Sequence, residues 1–355
     1  MHDLLETAHY RCALITEWQE LEQHEHAWQT LAKEYGKDGW FSSPQWLRPW
    51  YECFWQSDWS LLAVLVWNHR RDLVALLPLY TQPSYLGARV LRPLGQGEPE
   101  EAEIASEYTD ALVHPAHGSE LMMILERAVC ALPFDWCYWR ALSEKAGWLS
   151  VVARQPRVQF RPLGLRYMSL AGSPPSMSLE RQYRRRLRKL QNQGAHCRWL
   201  ARSEMTDYWS SLKQLHQKRW HQRGKTGAFI SGAFNAFHQR QMQTSKRLKM
   251  SVLESPECIY GIHCYYEYQG RLFFYQSGWD PAFSAMSPGL VLHLWSRKSH
   301  SDWDYDLMLG SMNDSYKAKL ADSMGLIGEV LWIRHPLRYA SARVLSRVLM
   351  FLGNS

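Results

Sequence analysis

The residues best suited to chemistry lie in the last third of the 355-residue chain. Ser287-Pro288-Gly289 has the form of a helix start. Ser suits the N-cap, Pro suits the first helical position, and Gly lets a ligand approach the backbone. Bare first-turn N–H groups can hold a pyrophosphate, so an acyl-CoA-type ligand is the leading expectation; the plain alternative is an ordinary helix start. Asp280 follows an apolar strand in Ser277-Gly278-Trp279-Asp280. It could take a proton from an attacking amine, or cap a Gly-Trp-Asp-Pro turn. In Tyr316-Lys317 the phenol could return a proton to a leaving thiolate. The ammonium could steady an oxyanion or an acidic acceptor, or simply lie on a solvated face. Asp304 and Asp306 share one face of a strand, for orienting a lysine or acceptor or for pairing with arginine.

These groups need an α+β framework. Periodicity predicts helices over 178–193, 205–222, 231–246, 287–300 and 313–323, with the strands LKMSVLE, CIYGIHCYYEY, RLFFYQSGW and DYDLML. The first half repeats the order. Helices are expected over 18–35, 44–55 and 117–132, and strands at SLLAVLVW, LVALLPLY, EYTDALV and DWCYWRAL. The reading is a duplicated domain, 1–163 and 164–355, joined near Arg161–Gly164, where Pro and Gly interrupt the pattern.

Composition narrows the partners. A formal charge of +7 favours anions. The cluster Arg181, Arg184, Arg185, Arg186, Arg188 and Lys189 shares its helix with an apolar stripe, so a solvated basic face is expected there and nucleic acid is not. Seven scattered Cys without C-x-x-C suit a reducing compartment. With neither a signal-peptide pattern nor a membrane-length apolar run, the expected location is the cytoplasm. His24-Glu25-His26 and His263-Cys264 do not form a ligand set, and no metal is expected. The segment LRYASARVLSRVLMFL is a basic amphipathic helix. It is expected to dock on the protein's own sheet or a second copy in preference to a membrane surface.

The second half resembles the CelD/BcsL-like acetyltransferase family of the GNAT superfamily. The resemblance rests on RRRLRKLQNQG (184–194), Arg219-Trp220 with Gly224, SGWD (277–280), SPG (287–289) and D-x-D-x-x-x-G…YK (304–317). FSSPQW (41–46) and YTDALV (108–113) carry a weaker likeness in the first half. Fem-type aminoacyl transferases of peptidoglycan, related to this family, share the tandem architecture.

The resemblance implies two tandem GNAT-like domains with mixed, mostly antiparallel sheets. It also implies direct acyl transfer, in the first place acetyl transfer, from acyl-CoA to an amine or hydroxyl, with a cell-envelope or exopolysaccharide acceptor. Asp280, Tyr316 and Lys317 would be catalytic. Ser277, Gly278, Trp279, Ser287, Pro288 and Gly289 would hold acetyl-CoA. Tyr108, Asp110, Arg219, Trp220 and Asp306 would meet the acceptor; alternatively Trp220 fills the core and Arg219 forms an ion pair. The sequence departs from the family in DPAFSAMSPG, which has one glycine where many members have a glycine-rich phosphate loop. Two alternatives remain: an aminoacyl-tRNA-dependent transferase, and a non-catalytic scaffold of a polysaccharide synthase.

Overall fold

The computed structural model describes residues 2–116, 118–221 and 228–353, without the side chains of 220, 221, 228 and 350–353. The chain forms two compact units. The first holds residues up to Glu98, Ile104–Leu163 and the chain from Leu326 onward; the second holds Pro99–Glu103 and Gly164–Gly325.

The first unit contains β1 (His2–Glu6), β2 (Tyr10–Ile15), α1 (Trp18–Glu22), α2 (Glu25–Glu34), α3 (Pro44–Phe54), β3 (Ser60–Asn68), β4 (Leu73–Pro83), β5 (Arg89–Pro93), β6 (Leu112–Val113), α4 (Ser119–Ala131), β7 (Trp136–Ser143) and α5 (Gly147–Val152). β8 (Val158–Ser169) leads into the second unit. There follow α6 (Met177–Gln191), β9 (His196–Trp199), α7 (Met205–His221), α8 (Gly232–Thr244), β10 (Leu248–Glu254), β11 (Ile259–Tyr268), β12 (Arg271–Trp279), α9 (Pro288–Ser299), β13 (Asp304–Gly310) and α10 (Ser315–Leu320). β14 (Ser323–Ile333) leads back, and α11 (Pro336–Gly353) closes the first unit.

The two units repeat one pairing scheme. In the first the strand order is β1-β2-β3-β4-β5-β7-β14, and only β5 and β7 are parallel. In the second it is β8-β13-β12-β11-β10-β9, and only β12 and β13 are parallel. A helix, α4 or α9, precedes the parallel strand each time, as a parallel pair requires a crossover. β3 and β11 are apolar almost throughout because both of their faces are covered. Tryptophans fill the core of the first unit, with Trp28, Trp40, Trp46, Trp50, Trp139, Trp148 and Trp332 fully buried.

Several elements escaped the periodicity. β1, β2, β5, β9, β14 and α5 are short, partly exposed or edge-placed. EYTDALV is mostly loop, with only Leu112–Val113 paired. Residues 161–164, the expected joint, lie inside β8 at the point where the units change from Leu163 to Gly164, and a Cβ at Gly164 would sit 2.1 Å from the Gly310 carbonyl oxygen. That glycine marks a close approach of two backbones rather than a linker. The stretch from Leu326, which the sequence reading kept with 164–355, groups with the first unit.

Candidate active site

β12 and β13 begin as a parallel pair and then separate. They pair at Arg271↔Asp304, Leu272↔Tyr305 and Phe273↔Asp306, and no further. Beyond Phe273, β13 no longer runs alongside β12. Three contacts bend β13 away. Met308 adopts a left-handed conformation with φ 62°, at a register shift against β8. Asp306, fully buried, accepts from Arg166 Nε at 2.9 Å and Nη2 at 2.5 Å and from the Met308 N–H at 2.8 Å. Lys317 Nζ donates to the carbonyls of Leu307 (2.7 Å) and Leu309 (2.6 Å). A cation thus occupies the acceptors that a neighbouring strand would otherwise use.

The gap widens into a cavity of about 640 Å³, whose lining includes Ser277, Trp279, Ser287, Pro288, Gly289 and Tyr316. Its roof is the start of α9. The first intrahelical bond of α9 runs from Val291 N–H to Ser287 O at 3.2 Å, so the Gly289 and Leu290 N–H groups precede the ladder. A Cβ on Gly289 would lie 3.6 Å from Trp279 Cδ1, 3.8 Å from Tyr316 Oη and 3.9 Å from His263 Nε2. Three side chains from different elements therefore converge on one point of backbone. Asp314 caps α10, accepting from the Tyr316 and Lys317 N–H groups at 3.1 and 3.0 Å, and so aims Tyr316 at that point.

The sequence reading did not assign His263 or His293 to the site, and both line the cavity. His263 lies across from Ser277 on β11, and the two ring centroids are 4.5 Å apart. A buried hydroxyl network stands behind them. His263 Nδ1 meets Tyr265 Oη at 3.0 Å, Tyr265 donates to Ser296 Oγ at 2.9 Å, and Ser296 donates to Ser251 Oγ at 3.3 Å. His293 Nδ1 meets Tyr305 Oη at 2.7 Å. With Tyr265 donating onward, the arrangement that satisfies the network puts the His263 proton on Nδ1. The Nε2 lone pair then faces the cavity. Burial, with the charges of His293 and Arg219 behind it, drives His263 well below its ordinary value. Burial, then Lys317 and Arg219, brings His293 down to about 3. Both rings are neutral at neutral pH. The signal for them was available: His263 and His293 are polar interruptions of otherwise apolar elements.

The remaining expected site residues fall elsewhere. Asp280 does not line the cavity. It accepts from Lys218 Nζ at 2.7 Å and from the Ala282 N–H at 2.9 Å. Burial pushes its carboxyl up, but Lys218 and the Ala282 N–H prevail and hold it below the usual range. Such a carboxylate is a weak base. Asp306 is enclosed by Arg166, and Asp304 accepts from Arg271 at 3.3 Å and from the Ala171 N–H at 3.1 Å, so neither faces an acceptor. The Lys317 ammonium is committed to strand carbonyls. Gly278 points away from the cavity; a Cβ there would lie 2.8 Å from Leu212 O, so this glycine admits α7 against the sheet.

Tyr108 and Asp110 are buried inside the first unit. Tyr108 stands edge-on to Phe41 at 6.1 Å. Asp110 caps α5, accepting from the Gly147 and Trp148 N–H groups at 2.6 and 2.8 Å and from the Tyr35 hydroxyl. Arg219 lines the cavity with its guanidinium 5.4 Å from the Trp279 ring centre. The side chain of Trp220 and the whole of Gly224 lie outside the described residues. Among the described residues no group of acidic, His and Cys side chains could hold a metal.

Comparison with known proteins supports this geometry. Residues 177–298 match the family model described as an acetyltransferase (GNAT) domain. A search of curated proteins returns no match. Among solved structures, one titled FemX aligns over 89% of this chain and 97% of its own, with TM-score 0.60 and 8% identity. The C-terminal domain of a putative lysylphosphatidylglycerol synthetase from Agrobacterium fabrum aligns over 92% and 95%, with TM-score 0.56 and 10% identity. The chain is therefore a mixed α+β protein of GNAT fold, in which residues 177–298 match the GNAT acetyltransferase domain model; β12 lies within that match and β13 follows it.

Proposed function

We propose that the protein is an acyltransferase that moves an acyl group, in the first place acetyl, from acyl-CoA to an amine or hydroxyl by direct transfer. The parting of β12 from β13 beneath the start of α9 carries this reading. An extended amide-bearing chain can run along β12 where β13 has turned away, as an added strand does. The Gly289 and Leu290 N–H groups at the positive end of α9 suit phosphate oxygens. Lys319 and Gln182 also line the cavity. The single-glycine loop adds little to that seat. Residues Pro281–Met286 close into a 3-10 turn whose first N–H groups turn back to Asp280, while the Arg186 guanidinium holds the Ala285 carbonyl.

The donor supplies an activated thioester. Transfer replaces its C–S bond with C–N or C–O and moves one proton from acceptor to sulfur. Tyr316 Oη is the acid for the departing sulfur: burial pushes its phenol above the ordinary range, so it stays protonated at neutral pH. His263 Nε2 is the neutral acceptor for the proton leaving the nucleophile. Burial makes it a weak base as well, so it takes that proton only once attack on the thioester has made the nucleophile acidic, and hands it on to the Tyr316 phenolate. Arg219, beside Trp279, faces the acceptor side. The acceptor we infer is a cell-envelope or exopolysaccharide precursor met in the cytoplasm, on the strength of the family resemblance alone.

Calorimetry with acetyl-CoA and CoA tests the donor. Saturable binding that G289L weakens at unchanged thermal midpoint supports the reading. No heat and no midpoint shift at millimolar ligand would overturn it, leaving the scaffold or aminoacyl-tRNA alternatives.

A further inference from the structure

α11 packs through one face only. Tyr339 and Ala342 join Val90, Trp136 and Leu331 in a small core of the first unit. The opposite face is apolar yet outward: Leu337 is 84% exposed, Val344 62% and Val348 47%. Spaced by seven and four residues, these three form one stripe. The Tyr85–Gly87 turn packs beside α11 and carries an exposed side chain, Leu86 at 68%. The stripe on α11 is an uncovered apolar face, which a soluble surface ordinarily avoids.

The charge around the patch has one sign. Residues 336–353 carry Arg338, Arg343 and Arg347 and no acidic residue. A groove of about 830 Å³ beside the helix is lined by Arg92, Arg161 and Arg343. Its carboxylate, Glu329, already accepts the Tyr138 hydroxyl at 2.5 Å. Asp135, the acid nearest the helix start, is buried and holds Arg338 at 3.3 Å. Self-pairing along this face would set arginine rows against one another with no carboxylates between them, which disfavours a second copy.

We infer that this face is a peripheral docking surface for an anionic bilayer. The Leu337–Val344–Val348 stripe enters the headgroup boundary, and Arg343 and Arg347 meet lipid phosphates. No membrane span is involved, and among the described residues no helix is long and apolar enough to provide one. The inference is independent of the acyltransfer reading, because it uses the first unit alone.

The test is co-sedimentation of the full chain with vesicles of phosphatidylcholine, alone or mixed three to one with phosphatidylglycerol, at low and high salt. Binding should require the anionic lipid and fall with salt. R343Q/R347Q should weaken it roughly 30-fold, taking each arginine near the surface as worth about fivefold. L337E/V344E should abolish it at unchanged thermal midpoint, because both side chains are exposed. Equal binding to neutral vesicles, or no binding, overturns the inference. So does a concentration-dependent dimer that V344E dissolves, which would make the face a contact between copies.

Discussion

Tyr316 and His263 reach the Gly289 backbone from different elements, which sets them apart from the carboxylates that sequence alone favours. Y316F should lower kcat by about 100-fold or more and leave the acetyl-CoA Kd unchanged, since general acid catalysis typically contributes that much. Steady-state kinetics beside calorimetry separates the two quantities. H263Q should cost a similar factor in kcat, with a control melt showing the fold intact. D280N should leave kcat within a few-fold and cost about 1 kcal/mol of stability, as a partly exposed ion pair does. A hundredfold loss in D280N would return Asp280 to the role its position first suggested. Asp280 and Lys317 both stand where a catalytic group is expected in the chain. Their side-chain atoms are spent on Lys218, 62 residues away in sequence, and on the carbonyls of Leu307 and Leu309, which only the folded turn before α10 brings to Lys317.

At the scale of elements, the site depends on holding β13 off β12. Three devices do this: the left-handed turn at Met308, the buried Arg166–Asp306 pair, and the Lys317 ammonium across Leu307 and Leu309. K317M should remove two charge-assisted bonds, costing about 2–3 kcal/mol in chemical denaturation, and should weaken acetyl-CoA binding even if the amine takes no part in chemistry. A K317M protein with normal affinity and low kcat would instead make Lys317 a catalytic group. D306N leaves Arg166 buried without its counter-charge and should cost about 3–5 kcal/mol. The elements around this device were legible: α9, β10, β11 and β12 follow clear apolar periods. β8 and β14 were not, because β8 passes through Pro162 and Gly164 and β14 is half exposed along its first turns.

Over the whole molecule, buried ionisable groups give the two units opposite responses to pH. The second unit buries four neutral histidines, with His216 lowered to about 4, His238 and His293 to about 3, and His263 lower than its ordinary value as well, in each case chiefly by desolvation. The unfolded chain binds protons below pH 6.5 that these rings refuse. Their stabilisation is complete above 6.5 and is lost as the pH falls toward 3–4. Asp110 in the first unit runs the other way. Burial lifts its carboxyl from 3.8 to about 6 against the bonds from Tyr35, Trp148, Gly147 and Ala111. The unfolded chain ionises first, so about 3 kcal/mol is lost as pH rises from 3.8 to 6. Urea unfolding followed by hydrogen exchange should show the second unit opening first at acid pH. D110N should flatten the pH dependence of the first unit between 4 and 6, and an unchanged slope would rule this out.

Sequence by itself determined the α+β class, the repeated order of elements and the helix start at Ser287-Pro288-Gly289, because apolar period, capping residues and turn signals act over a few residues. It also brought Ser277, Trp279 and Tyr316 to notice. Only the tertiary structure decided which polar groups remain available. His263 stands out in sequence only as a polar interruption of an apolar strand; its significance lies in the cross-strand Ser277 and in a hydroxyl chain that runs through Tyr265 to Ser296 and Ser251 on two other elements. Asp110, Asp306 and Lys317 gain their partners, Tyr35, Arg166 and the β13 carbonyls, only after the chain has folded. Side-chain chemistry is written locally, but a group is free to react only when no distant partner has already taken its charge or its proton.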